Sequence, residues 1–201
     1  MAQAGLRIPS EAEIRYSNAA IFLHWTIAAL IVVQVLLGWW LNEWVPDHSP
    51  IQAQITSFHI SIGLTVLLLV LVRIGVRLTH RPPSPPAGTP RWERLLTALT
   101  HTVFYVLLLV LPLTGWAMVT LRGKPIQFWG LPWPSLPGVG ALLGSPAPKA
   151  VRHGLQHLHV YILIWVVVLT LALHIAGVIW NEIKKRPGLR RMWPRRGVRS
   201  A

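Results

Sequence analysis

Four stretches of this chain run for bilayer-crossing lengths without a lysine, arginine, aspartate or glutamate: Ala19–Asn42, Ile51–Val72, Leu95–Leu121 and Gly154–Trp180. A helix needs roughly 20 mostly apolar residues to cross the hydrocarbon core, and in lipid the backbone must satisfy its own polar groups. The sequence therefore reads as all-α, an integral membrane four-helix bundle. Composition agrees, since 53% of the 201 residues are hydrophobic and only 12% are charged, which excludes an ordinary soluble domain. The first stretch is too long for a signal peptide, follows Glu11 and Glu13, and has no small-residue cleavage site after it, so it is expected to stay in the mature chain.

The net charge of +13 is placed unevenly. With four spans and both termini on one side, that side carries 15 of the 19 basic residues, including Arg7, Arg15, Arg73, Arg77, Arg81, Arg91, Arg94 and the tail from Lys184 to Arg199. The other side has only Arg122, Lys124, Lys149 and Arg152. The positive-inside rule then puts both termini in the cytoplasm, and the basic tail against anionic lipid headgroups rather than nucleic acid. One transmembrane domain over 1–201 is expected, with helices at about 19–42, 51–79, 93–121 and 154–182, a loop 122–152 on the outer face and a basic tail 183–201.

Prolines punctuate the loops. Arg81-Pro-Pro-Ser-Pro-Pro-Ala-Gly-Thr-Pro90 cannot continue a helix and reads as a stiff link between the second and third spans. The 122–152 loop interleaves six prolines with Phe128, Trp129 and Trp133 and is expected to lie on the outer membrane surface. Trp39, Trp40 and Trp44 mark the outer interface of the first span, and Trp180 the inner end of the fourth.

His24, His59, His159 and His174 sit inside the apolar stretches. An ionisable side chain at membrane depth is expensive and points to function; for any single one the bland alternative is a hydrogen bond to a neighbouring helix. Because successive spans reverse direction, His24 and His174 share one depth, and His59 and His159 share the other. The 15 residues from His159 to His174 give roughly 22 Å of rise and an angular offset of about 60°, so one helix carries a ligand at each depth. The chain has no cysteine, which removes thiolate ligation, iron–sulfur clusters and covalent C-x-x-C-H attachment. Paired neutral imidazoles suit iron, so the pattern points to two noncovalent b-type haems. Gly63 and Gly177, near candidate ligands, would make room for a macrocycle.

The order of motifs resembles the bacterial cytochrome b561 family from about Arg15 to Pro194. The likeness is carried by Tyr16-Ser17, Phe22-Leu-His-Trp25, Phe58-His-Ile-Ser-Ile-Gly63, Val72-Arg73, Val76-Arg77-Leu78, His101-Thr-Val-Phe-Tyr105, Leu111-Pro-Leu-Thr-Gly115, Gly123-Lys-Pro-Ile-Gln-Phe-Trp-Gly130, Leu173-His174 and Arg191-Met192. The resemblance implies that His24 and His174 ligate a cytoplasmic-side haem, and His59 with a fourth-span histidine an outer one. The family's usual fourth-span spacing is one residue shorter than His159 to His174, and His153 and His157 are also present. His159 is preferred because 17 residues from His157 to His174 would set the side chains about 100° apart on a regular helix; His157 stays the alternative, and His153 reads as a loop or neighbouring residue.

Arg73 and Arg77, one turn apart, either snorkel to headgroups or pair with haem propionates; the deeper Arg73 favours the haem. His101, at the start of the third span, has no partner at its depth; it reads either as an interface histidine at a span end or, as the matching position in relatives implies, as part of a quinone pocket. The implied function is electron transfer across the inner membrane between an outer-face donor such as superoxide and ubiquinone, as a superoxide:ubiquinone oxidoreductase or a plain electron carrier. The outer loops, with four basic residues against Glu43 and Asp47, are net positive and suit an anionic donor. Two alternatives use the same spans: a cytochrome b subunit serving a hydrogenase- or dehydrogenase-type protein partner, and a histidine-lined metal transporter. The apolar Val, Leu and Ile of the span centres fit the transporter least.

Overall fold

The fold was obtained as a computed structural model, which describes residues 15–80, 82–86, 88–186 and 188–193. Arg7, Arg81 and the part of the basic tail from Pro194 onward lie outside the described residues.

Four helices are long and apolar enough to cross a membrane. Helix α1 spans Asn18–Glu43 and starts at Ser17, whose hydroxyl accepts a bond from the Ala20 N–H. Such a cap satisfies one of the orphan donors of the first turn and is worth about 1 kcal/mol. Helix α2, Pro50–Thr79, begins the same way, with Ser49 accepting from the Gln52 N–H and Pro50 at the first helical position, where its missing N–H costs nothing. Helix α3 runs Arg91–Thr120 with Pro112 inside it. The fourth span, Lys149–Ile183, is composite: after a short helix α4 (Val139–Leu143) come α5 (Lys149–His157), a π-helical turn (Leu158–Leu163) and α6 (Ile164–Ile183).

In space α1 packs on α2, α2 on α3, and α3 on the fourth span. The tightest apolar cluster, Ile27, Ile62, Val66 and Val70, lies between α1 and α2 and is backed by Leu108 and Leu109 of α3. The fourth span buries only Val167 and Thr170 along α6.

The ends of the bundle differ. At one, here the terminal end, a short 3-10 turn (Leu189–Met192) folds back beneath α1. Trp25 donates its indole N–H to the Met192 carbonyl (2.7 Å), and its ring meets Trp193 edge-on at 5.9 Å. Arg15 bonds the Trp193 carbonyl, so the two ends of the described chain meet there. Arg186 pairs with Glu93, which also accepts from the Trp180 indole, tying the end of α6 to the start of α3.

At the other end the proline-rich loop is more ordered than its sequence implies. Strands β1 (Ile126–Phe128) and β2 (Leu131–Trp133) form an antiparallel hairpin with Phe128 opposite Leu131. Its two-residue turn, Trp129-Gly130, has φ of 50° and 84°, the type I′ pattern that matches strand twist. A tryptophan seldom adopts positive φ; here its backbone N–H donates to Ser61 Oγ (3.0 Å) and its indole N–H to Thr65 Oγ1 (3.1 Å), pinning the turn to α2.

Candidate functional site

The paired depths become ring contacts. At the hairpin end the His59 and His159 rings have centroids 6.3 Å apart, and at the terminal end His24 and His174 are 6.2 Å apart. Two imidazoles on opposite sides of one metal, with bonds of about 2 Å each, put their centroids about 6 Å apart. Among the described residues no group of three or more histidines or carboxylates is close enough to hold a metal ion by itself. Each pair is spaced so that its two imidazoles could share one metal between them.

His159 is oriented for this. Its Nδ1 lies 2.8 Å from Thr114 Oγ1, whose hydroxyl donates to the Leu111 carbonyl at 2.8 Å. With that proton committed, the threonine oxygen accepts from Nδ1–H, which leaves Nε2 with its lone pair free, the form a metal needs. The ring also sits against Gly115, where a Cβ would come within 3.2 Å of Cε1. His59 rests on Gly38 of α1, a Cβ there lying 3.4 Å from its Cε1. The sequence points to two other glycines, Gly63 and Gly177, as room for a macrocycle. Gly63 in fact faces the Gln34 side chain, and Gly177 has nothing within 4 Å.

His157 points elsewhere: it is exposed and its ring meets Tyr161 at 5.3 Å, tilted by 38°. The π turn explains why. A π turn accommodates one extra residue in an otherwise α-helical span, so the rotation from His174 is that of a helix about one residue shorter. That brings His159 to about 40° from His174 and swings His157 to about 160°. His153, expected in a loop or beside the ligands, lies on α5 and is exposed.

The terminal-end pair is more crowded. His101 is not isolated, as its sequence context implied; its ring is 5.5 Å from His174, on the side where Phe104 also contacts His174 at 5.4 Å. The Nδ1 of His101 donates to the Thr97 carbonyl at 2.7 Å. Arg73 reaches between α1 and α3, with Nη2 3.2 Å from His24 Nδ1 and Nε 3.4 Å from Tyr105 Oη. A guanidinium has donors only, so His24 accepts at Nδ1 in this arrangement. Arg77, one turn further along, is exposed.

Residues 15–195 match the prokaryotic cytochrome b561 family. The chain belongs to that family. It is also 30% identical over 116 residues to Cytochrome b561 homolog 1 of Escherichia coli strain K12, across 58% of this chain and 65% of that relative. The chain thus spans just under two thirds of the length of the curated relative it matches. Cytochrome b561 membership, which implies b-type haem, and four membrane-capable helices make this a multi-pass bacterial membrane protein. The residues present fit such a group: facing imidazole pairs, a ring with a fixed tautomer, glycine seats beside both hairpin-end rings, and a buried His59 Nδ1 with no partner.

Gln34, Gly38, Thr114, Gly115 and Tyr105 were not singled out from the sequence. Thr114 and Gly115 belong to the Leu111-Pro-Leu-Thr-Gly115 stretch, and Tyr105 to the motif begun by His101, so position within a family motif was the available signal.

Proposed function

We propose that the protein is a dihaem cytochrome that carries electrons across the bacterial inner membrane between a small donor at the outer face and ubiquinone. The observation that carries this reading is the pair of histidine contacts at opposite depths, each with one partner on the fourth span. His59 and His159 would hold the haem at the hairpin end, and His24 and His174 the one at the terminal end. When bound, haem supplies one-electron exchange, with its potential set by axial ligands, hydrogen bonding and burial.

The protein's own part is to bind, orient and insulate. Thr114 fixes the His159 tautomer. For His24 to ligate through Nε2, its proton would belong on Nδ1, and Arg73 would then donate to another acceptor, for which a haem carboxylate would serve. Arg77 lies within a turn of the same position. The terminal end is the cytoplasmic side, because the basic residues concentrate there, and the hairpin end faces outward. His101, tethered through Nδ1 and beside His174, supports a quinone contact next to the inner haem. The mildly basic hairpin-end loops suit an anionic donor such as superoxide.

The test is haem quantification with reduced-minus-oxidised spectra of the purified full chain and of His24→Ala and His59→Ala. Two haems in the wild type and one in each variant support the reading; one haem in the wild type refutes it. A hydrogenase- or dehydrogenase-type enzyme copurifying in fixed ratio would make the chain that enzyme's cytochrome subunit instead.

A further inference from the structure

Two buried polar atoms at the interface of α1 and α2 lack partners, and they are chemically complementary. One is His59 Nδ1, the other Gln34 Oε1. An unpaired polar group at membrane depth is costly, and a metal-ligating histidine almost always donates its second ring N–H to an acceptor. His159 has such an acceptor in Thr114; His59 has none within hydrogen-bonding distance.

Gln34 is held against the same residue. Its Nε2 donates to the backbone carbonyl of His59 itself at 3.0 Å. The amide is seated on Gly63, one turn beyond His59 on α2, where a Cβ would come within 3.0 Å of Nε2. Gly38, one turn beyond Gln34 on α1, is the residue that the Cε1 and Nδ1 edge of the ring faces, at 3.4 and 3.9 Å from an added Cβ. The amide and the ring edge thus meet the same stripe of α1. A glutamine in a charge-free span is itself unusual, and helix association alone would use its Nε2 bond but leave Oε1 unsatisfied.

We propose that Gln34 is the positioning residue for His59, its Oε1 accepting the Nδ1–H of the ring, by a small turn of the imidazole or through a single water, when Nε2 ligates haem. This rests on the reading of His59 as a haem ligand. The two hairpin-end ligands are then oriented by different means, a hydroxyl on α3 for His159 and an amide on α1 for His59. An acceptor on Nδ1–H makes the imidazole a stronger electron donor, which favours ferric over ferrous iron.

The experiment uses the full-length, haem-loaded chain in lipid nanodiscs, with redox titration by optical difference spectra and low-temperature EPR of the ferric haems. The hairpin-end haem is identified as the one lost in His59→Ala. Gln34→Leu shifts the reduction equilibrium of that haem about tenfold toward the ferrous form, or about 59 mV upward for one electron, moves its EPR signal, and leaves the other haem unchanged. Gln34→Glu retains an acceptor and gives no upward shift. Gly63→Ala displaces the amide without touching a histidine and shifts the same haem in the direction of Gln34→Leu, which keeps the test intact if the leucine variant fails to fold. Unchanged potentials in Gly63→Ala or Gln34→Leu, or equal shifts in both haems, overturn the proposal. Full haem content in His59→Ala would instead remove the ligand reading beneath it.

Discussion

Replacing Gly115 by alanine sets two known effects against each other at the hairpin-end site. The added Cβ would stand 3.2 Å from His159 Cε1, with Nε2 and Nδ1 at 3.8 and 3.9 Å. Carbon atoms prefer about 3.5–4.0 Å, so the ring must move by a few tenths of an ångström. It cannot do so freely, because its Nδ1 is tied to Thr114 on the same helix as the intruding methyl. Overpacking of this kind costs about 1–3 kcal/mol, whereas alanine in place of a mid-helix glycine returns about 0.5–1 kcal/mol. The gain applies to the helix with or without haem; the clash applies to the seat of the ligand. Gly115→Ala should therefore weaken haem binding at that site about 5- to 150-fold, at 1.4 kcal/mol per decade, where a ligated ring cannot give way, whereas the free ring of the apoprotein yields at the cost of its Thr114 bond and leaves stability within about 1 kcal/mol of the wild type. Gly38→Ala is the graded control, since its Cβ at 3.4 Å from His59 Cε1 is near ordinary contact and should cost less. Haem titration into apoprotein in nanodiscs, paired with thermal unfolding, measures both sides. Wild-type haem affinity in Gly115→Ala, or a larger loss in Gly38→Ala, would refute the reasoning.

Other outcomes follow from the same geometry. His159→Ala should remove one haem per chain by pyridine haemochrome assay, whereas His157→Ala, at a side chain that meets Tyr161 away from the pair, should keep both. His101→Ala should retain both haem spectra and slow quinone reoxidation at least tenfold in stopped flow, an order-of-magnitude expectation for a lost positioning contact; loss of a haem would instead make His101 a ligand. Thr114→Val should weaken the hairpin-end haem by about 10–100-fold, the usual effect of losing a partner of a ligating histidine, and Thr114→Ser should restore it. Trp25→Phe removes the bond to the Met192 carbonyl and should lower stability by about 1 kcal/mol, seen as faster proteolysis after residue 186.

The spans were legible because lipid imposes one rule on every residue: long apolar runs without charge have few ways to satisfy their backbone except as helices. The approach of the histidines was legible for the same reason, since rise per residue converts sequence position into depth. Rotation about a helix axis was less so. The π turn at Leu158–Leu163 leaves no mark in composition, yet it decides which face His157 and His159 take. Lateral neighbours were least legible. That Gly115 rather than Gly177 meets a ring, or that His101 comes within 5.5 Å of His174, depends on which helices pack together and at what angle. The hairpin was hidden for another reason, because its turn uses Trp129 at positive φ where Asn or Gly would have announced it.

Helix α1 packs on α2 and the fourth span on α3, while direct packing between α1 and the fourth span is sparse among the described residues. The bundle is thus an arc whose two ends are linked by His24 and His174, while His59 and His159 link α2 to the fourth span. Any molecule bound across both rings of a pair also fastens two helices that hold each other weakly, so part of its binding free energy becomes cohesion of the membrane fold. Cofactor loading and assembly would then be one equilibrium, and chains starved of haem would be recognised by the cell's proteases as loosely associated helices, well before any question of electron transfer arises.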